Sequence, residues 1–194
     1  MWLLTLFSRL PFWFFYGLSD GLAWLLHRVV RYRRQVVLDN LRHAFPDKSD
    51  AWYRHTLWAF YRSFTDTWLE ALKALTLSPE QMRQRVAFRD VEQLQHWEAQ
   101  GVSTLMLAGH MANWEWLFLR GSLDVKNVLA VYLKVESPFF DRLMLQIRSR
   151  YGARLIEKAG LLREVLRSRQ QYRNIAMVPI RPRRRDRSTS GLPS

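Results

Sequence analysis

The chain has 194 residues, 48% of them hydrophobic, and a formal net charge of +13. That length and apolar content allow one sizeable buried core with an appendage, and the absence of cysteine excludes a disulfide framework, a thiol nucleophile and a thiolate metal site. The positive balance requires an anionic partner: phosphate-bearing lipid, acidic protein or nucleic acid.

Residues 1 to 30 are mostly apolar, interrupted by Arg9, Asp20 and His27. They carry neither a basic leading region nor a small-residue cleavage site, so the pattern is not that of a signal peptide. A helix from about Leu10 to Val30 meets the ~20-residue requirement for crossing a bilayer. Asp20 at mid-span is costly there and leaves a helix lying in the interface as the other arrangement. Arg28, Arg31, Arg33 and Arg34 follow, a basic flank of the kind that marks the cytoplasmic side and attracts anionic headgroups. Residues 1–34 therefore read as a membrane anchor with its basic flank. Nine Trp and eleven Phe in the chain suit a membrane interface, and equally a large aromatic core.

Residues 35–85 read as helical. Gln35 to Phe45 is stopped by Pro46. Ser49-Asp50 caps a long helix to about Leu75, on which Leu57, Phe60, Tyr61, Phe64, Trp68 and Leu72 form one apolar face. Ser78-Pro79-Glu80-Gln81 has the form of a capping box with proline at the first helical position and opens a short helix to about Arg85.

From Val86 the pattern alternates. A helix over about Val91–Gln100 ends at Gly101. Strand Val102–Leu107, helix Ala112–Leu119 stopped by Gly121, and strand Asn127–Tyr132 follow. A helix from Ser137-Pro138 to Gly152, strand Ala153–Ile156, helix Gly160–Arg173 and strand Ile175–Val178 complete the series. Such alternation predicts an α/β fold: a mainly parallel sheet flanked by helices over residues 86–178. Residues 179–194, Arg-rich and then rich in Ser, Gly and Pro, lack apolar periodicity and read as a disordered tail. Five arginines against Asp186 give this tail +4 of the total +13. No RNA- or DNA-binding motif accompanies that charge, which speaks against nucleic acid as the partner.

His110 is the main candidate for chemistry. It follows Ala108-Gly109 on the turn between a strand end and a helix start, where open α/β sheets place their sites. Glu115, inside the first turns of the next helix, is expected to reach back to the imidazole. A histidine held by a carboxylate has a fixed tautomer and a free nitrogen able to take a hydroxyl proton. By spacing alone, one His near one acid is a weak motif. Arg148, Arg150 and Arg154 offer guanidinium forks for phosphate, although composition alone favours a solvated basic helix face; Lys134 is a lesser candidate. His27, His43, His55 and His96 have no strand-end setting and read as structural or exposed. Phosphate-loop, dinucleotide-loop and metal-ligand patterns are absent, so no cofactor or metal is expected.

Gly109-His110-Met111-Ala112-Asn113-Trp114-Glu115 resembles the G-H-x-x-N-W-E block of the late acyltransferases of lipid A biosynthesis, within the wider glycerolipid acyltransferases that carry an H-x4-D/E motif. Asn40-Leu41-Arg42-His43-Ala44-Phe45-Pro46 resembles the family's N-L-x-x-x-F-P segment. Ser137-Pro138-Phe139-Phe140-Asp141 through Arg148 to Gly152 resembles its P-x-x-D…R-x-x-x-G segment. The resemblance covers about the first 178 residues. It implies an inner-membrane protein with its site on the cytoplasmic face, an acyl-acyl carrier protein as donor and a lipid A precursor as acceptor. It also implies His110 and Glu115 as the catalytic pair, with Asn113 and Arg148 toward substrate. At Pro179-Ile180-Arg181 the sequence departs from the family pattern, and a C-terminally incomplete fold is expected, through truncation or a frameshift. The alternative reading is an inactive remnant, or a basic membrane-surface protein without catalysis.

Overall fold

The structure, a computed structural model, describes residues 1–169, 171 and 173–178. The tail expected over 179–194, and the departure at Pro179, lie outside the described residues.

The N-terminal part is helical: α1 (Trp2–Ser8), α2 (Phe12–Trp24) continued by a π-helical turn (Leu25–Val30), α3 (Arg34–Ala44), α4 (Asp50–Lys73) and α5 (Pro79–Arg85). The caps are those the sequence offers. Ser49 accepts from the Trp52 N–H at the start of α4, and Ser78 and Gln81 form a reciprocal capping box at the start of α5.

The expected bilayer span from Leu10 to Val30 is not what forms. Among the described residues no helix is long and apolar enough to cross a membrane. Pro11, extended at φ −66° and ψ 157°, separates α1 from α2. Helix α2 then lies along α4 through its small and polar side. Ser19 donates to Thr65 Oγ1 at 2.8 Å, and Ala23 packs with Leu57 and Tyr61. Asp20 pairs with Arg62 at 2.7 Å. The buried Lys73 ammonium donates to the Ser8 and Leu10 carbonyls at 2.7 and 2.5 Å, which ties the end of α1 to the end of α4. The polar atoms that would be costly in lipid thus find partners on α4.

The apolar face expected on α4 divides in two. Leu57 and Tyr61 are buried, whereas Phe60 and Trp68 stay 36% and 38% exposed. Phe60, Phe64 and Trp68 form a continuous run of ring contacts that Tyr32 joins at one side and Phe140 at the other.

The second part alternates as expected: α6 (Val91–Ala99), β1 (Thr104–Leu107), α7 (Trp114–Asp124), β2 (Val128–Tyr132), α8 (Pro138–Arg148), β3 (Arg154–Glu157), α9 (Leu161–Arg167) and β4 (Asn174–Met177). The four strands are parallel in the order β1-β4-β2-β3, with Leu105 level with Ile175 and Leu129 level with both Ile175 and Arg154. The last strand in sequence therefore separates the first two.

Two elements differ from expectation. Gly121 does not stop α7, which runs on to Asp124; the glycine is buried beside the Phe88 ring. Helix α9 is half the expected length and buries no residue.

The main core joins α5, α7 and α8 through Met82, Trp116, Leu119, Leu143, Met144 and Ile147. A smaller cluster of Val125, Val128 and Ala153 takes Met106 and Phe118 against the sheet. On its other face, β1 presents Leu105 and Leu107, 58% and 62% exposed.

Candidate functional site

The site forms where β1 gives way to α7. The Ala108 N–H still bonds to the Met177 carbonyl at 3.1 Å, which holds the strand end in the sheet. The chain then leaves through Gly109, His110 and Met111. Ala112 adopts a left-handed conformation at φ 46°, uncommon for a residue with a Cβ, and so lies outside the helix rather than opening it. That turn sets Asn113 as the N-cap of α7, its side-chain oxygen accepting from the Trp116 N–H at 2.9 Å.

Asn113 also reaches across to α4. Its Nδ2 donates to Glu70 Oε2 at 2.6 Å, and the Trp116 indole N–H donates to the Glu70 backbone carbonyl at 2.8 Å. The Tyr16 hydroxyl donates to the other Glu70 oxygen at 3.0 Å. Burial, then the neighbouring Glu70 charge and hydrogen bond, push the Tyr16 phenol up to about 12. Glu70 thus joins α2, α4 and the turn that carries His110. Sequence reasoning missed it, because a single acid near the end of an amphipathic helix carries no signal of a partner 43 positions away.

His110 is exposed, and its ring packs edge-on against Trp114 with centroids 5.2 Å apart. Glu115 is buried, at 3% exposure. Both its oxygens are engaged by Arg148: Nε donates to Oε2 at 2.9 Å and Nη2 to Oε1 at 2.5 Å. Among the described residues no hydrogen bond or ion pair joins His110 to Glu115, so the expected contact is replaced by one with Arg148. The reason is geometric. Glu115 sits in the first turn of α7 on the side packed toward α8, and a guanidinium fork fits a carboxylate with two parallel bonds. Burial alone would lower the Arg148 pKa, but the Glu115 hydrogen bond and charge, with Asp141, outweigh it and hold the guanidinium above its ordinary value.

The structure therefore brings Glu115 and Arg148 together, sets Asn113 as the cap of α7, and leaves His110 exposed, five residues before Glu115 in sequence. Gly109 is not forced by its surroundings: a Cβ there would meet only the Met111 side chain, at 3.6 Å. Space for an approaching group is thus left beside the histidine.

Lys134 is exposed, whereas Arg150 and Arg154 have structural partners. Arg150 donates to the Leu75 and Leu77 carbonyls in the link between α4 and α5, and Arg154 pairs with Glu164 at 2.9 Å. His43 contacts the Asp39 carbonyl, and His96 contacts Gln100. Among the described residues no group of acidic and histidine side chains is arranged to hold a metal.

His110 thus lies on the turn after the first strand, at the carboxyl edge of a parallel sheet, where open α/β folds place their ligands. The chain belongs to the bacterial lipid A biosynthesis acyltransferase family, whose sequence profile matches residues 1–189. Acyl transfer in lipid A biosynthesis is the chemistry of that family. No curated protein matches the chain.

Proposed function

We infer that the protein transfers a fatty acyl chain from an acyl-acyl carrier protein to a hydroxyl of a lipid A precursor, at the cytoplasmic face of the inner membrane. The observation that carries this reading is His110, an exposed imidazole at the end of β1, inside a chain whose family profile covers nearly its whole length. In the proposed reaction His110 takes the proton of the acceptor hydroxyl as its oxygen attacks the thioester carbonyl carbon. The tetrahedral intermediate collapses with cleavage of the C–S bond, and the imidazolium returns the proton to the departing thiolate. A base and an aimed oxyanion contact suffice for such a transfer.

Arg148 holds Glu115 through Nε and Nη2, which leaves Nη1 to meet a substrate anion. An anion that draws the guanidinium toward itself loosens this hold and frees a Glu115 oxygen to orient the His110 ring and stabilise its imidazolium. Asn113 keeps the turn rigid while this happens, through its cap and its bond to Glu70. For the membrane, the fold supports attachment through exposed apolar side chains of the N-terminal helices, among them Trp2, Leu3, Trp13 and Trp24. That arrangement lies in the interface rather than across the bilayer.

One observation favours the second reading, a membrane-surface protein without catalysis: the His110 imidazole has no carboxylate partner among the described residues. Purified protein in detergent micelles, given acyl-acyl carrier protein and a lipid A precursor, separates the two by the mass of the product. A lipid heavier by one acyl chain supports transfer. No product above the background without protein supports the second reading.

A further inference from the structure

A second basic site lies away from His110, between the π-helical turn and the first half of α4. Here a cavity of about 350 Å³ is lined by Trp24, His27, Arg28, Arg34, Arg54 and Trp58. No acidic residue lines it. Among the described residues none of these three arginines forms an ion pair. Like charges converging on one cavity repel one another unless an anion lies between them.

His27, one of the lining residues, also holds a buried polar atom without a partner. His27 packs its ring 5.6 Å from Trp58 and 5.1 Å from Tyr61, and its Nδ1 is buried with no hydrogen-bond partner. Buried polar atoms are rarely left so, and each one calls for an explanation. The backbone is specialised at the same place. The π-helical turn carries His27 and Arg28, and Arg31 and Arg33, left-handed at φ 52° and 50°, turn the chain so that Arg34 opens α3 against the cavity.

Guanidinium groups converging on one point match the oxygens of a phosphate. The surroundings indicate where that phosphate comes from. Trp24 lines the cavity, and Leu25, Val29 and Val30, on the same π-helical turn as His27 and Arg28, are 40–60% exposed; indoles beside a cationic site suit the boundary between headgroup and acyl chain. We propose that this cavity binds the phosphate of an anionic membrane lipid. Arg28, Arg34 and Arg54 contact the phosphate oxygens, the His27 ring lies beside them, and Trp24 and Trp58 lie against the glycerol and upper acyl chains. Arg54 and Trp58 precede Glu70 on α4 by 16 and 12 positions. At 1.5 Å per residue the cavity is therefore ~18–24 Å from the Asn113–Glu70 contact. It is a docking site distinct from the catalytic one, and it stands whether or not His110 is a base.

The test is binding rather than turnover. The full chain in detergent micelles is titrated with short-chain phosphatidic acid, short-chain phosphatidylcholine or inorganic phosphate, and the His27 ring signals are followed by nuclear magnetic resonance. Burial, then Arg34 and Arg28, hold the His27 pKa below the ordinary histidine value. A phosphate among these groups offsets the two arginines, so phosphatidic acid should raise the His27 titration midpoint. Tyr61 and Trp58 face the ring from α4 and contribute no charge near neutral pH.

The double variant R34Q/R54Q should weaken phosphatidic acid binding by about tenfold or more, the effect of one lost charge-assisted bond or greater. R34K/R54K should keep most of the binding, which separates loss of charge from loss of fold. Phosphatidylcholine binding as tightly as phosphatidic acid, or an R34Q/R54Q protein binding like the parent, would overturn the proposal. Inorganic phosphate binding as tightly as the lipid, with the same dependence on the arginines, would overturn the lipid as its source.

Discussion

Glu115 and Arg148 hold each other by two parallel bonds across the interface of α7 and α8, 33 positions apart in sequence. Glu115 lies in the first turn of α7 and Arg148 at the end of α8, so the pair fastens the two helices to each other. Its carboxylate is nearly fully buried, while the guanidinium side chain keeps 24% exposure, enough to meet an incoming anion.

Breaking this pair on one side should be costly. Arg148→Met leaves a buried, unpaired carboxylate and should lower stability by about 3 kcal/mol or more, read from chemical denaturation in detergent. The double variant E115L/R148M, which removes both charges and keeps the volume, should recover most of that loss. If the single variant melts like the parent, the pair is not a structural fastening.

Asn113 has two duties, and its loss should show both. Asn113→Ala removes the cap of α7 and leaves Glu70 without one of its donors, for a cost of about 1–2 kcal/mol. Asn113→Asp keeps the cap but sets a second carboxylate against Glu70. It should be destabilising at neutral pH and recover as pH falls through the carboxylate range, which a thermal melt across pH can follow.

The Tyr16–Glu70 contact makes a prediction at high pH. The folded state holds the phenol at about 12 against an ordinary 10.0. A group whose folded pKa is raised contributes stability that is complete below its unfolded pKa and is lost as pH rises through the folded one. The contribution of Tyr16 should therefore fade between about pH 10 and 12, and Tyr16→Phe should remove that part of the pH dependence. Ultraviolet titration of phenolate formation in the two proteins would show whether the late-titrating tyrosine is Tyr16.

Gly109 offers a contrast between stability and activity. Its backbone does not need a glycine and a methyl group meets no backbone there, so Gly109→Ala should leave stability unchanged or raise it by up to about 1 kcal/mol. If the acceptor approaches His110 through this space, the same change should lower the acylation rate. Full activity together with unchanged stability would show that the acceptor comes from another side.

Much of this fold could be read from sequence, because its signals are local. Ser49, Ser78 and Ser137 cap the helices their neighbours announce, and the strands are short apolar runs bounded by turn residues. What could not be read depends on partners distant in sequence. Apolar content over residues 1–30 suggests a span, but Ser19, Asp20 and Ala23 share one side of α2 and meet α4. Gly121 looks like a helix stop and is instead a small buried residue beside Phe88. The spacing of His110 and Glu115 gives no hint that Arg148 claims the carboxylate, because that contact exists only once β2 and its crossover have brought α8 against α7.

The most direct measurement for the central claim is the rate of acyl transfer by the parent protein and by His110→Ala, under identical micelle and donor conditions. The parent should produce acylated lipid A precursor, and the variant should do so at a rate lower by about 10²–10⁴, the usual share of a general base. The variant should fold as the parent does, since His110 is exposed and, among the described residues, its only ring contact is with Trp114. A variant that transfers acyl chains at the parental rate would contradict the assignment of His110 as the base.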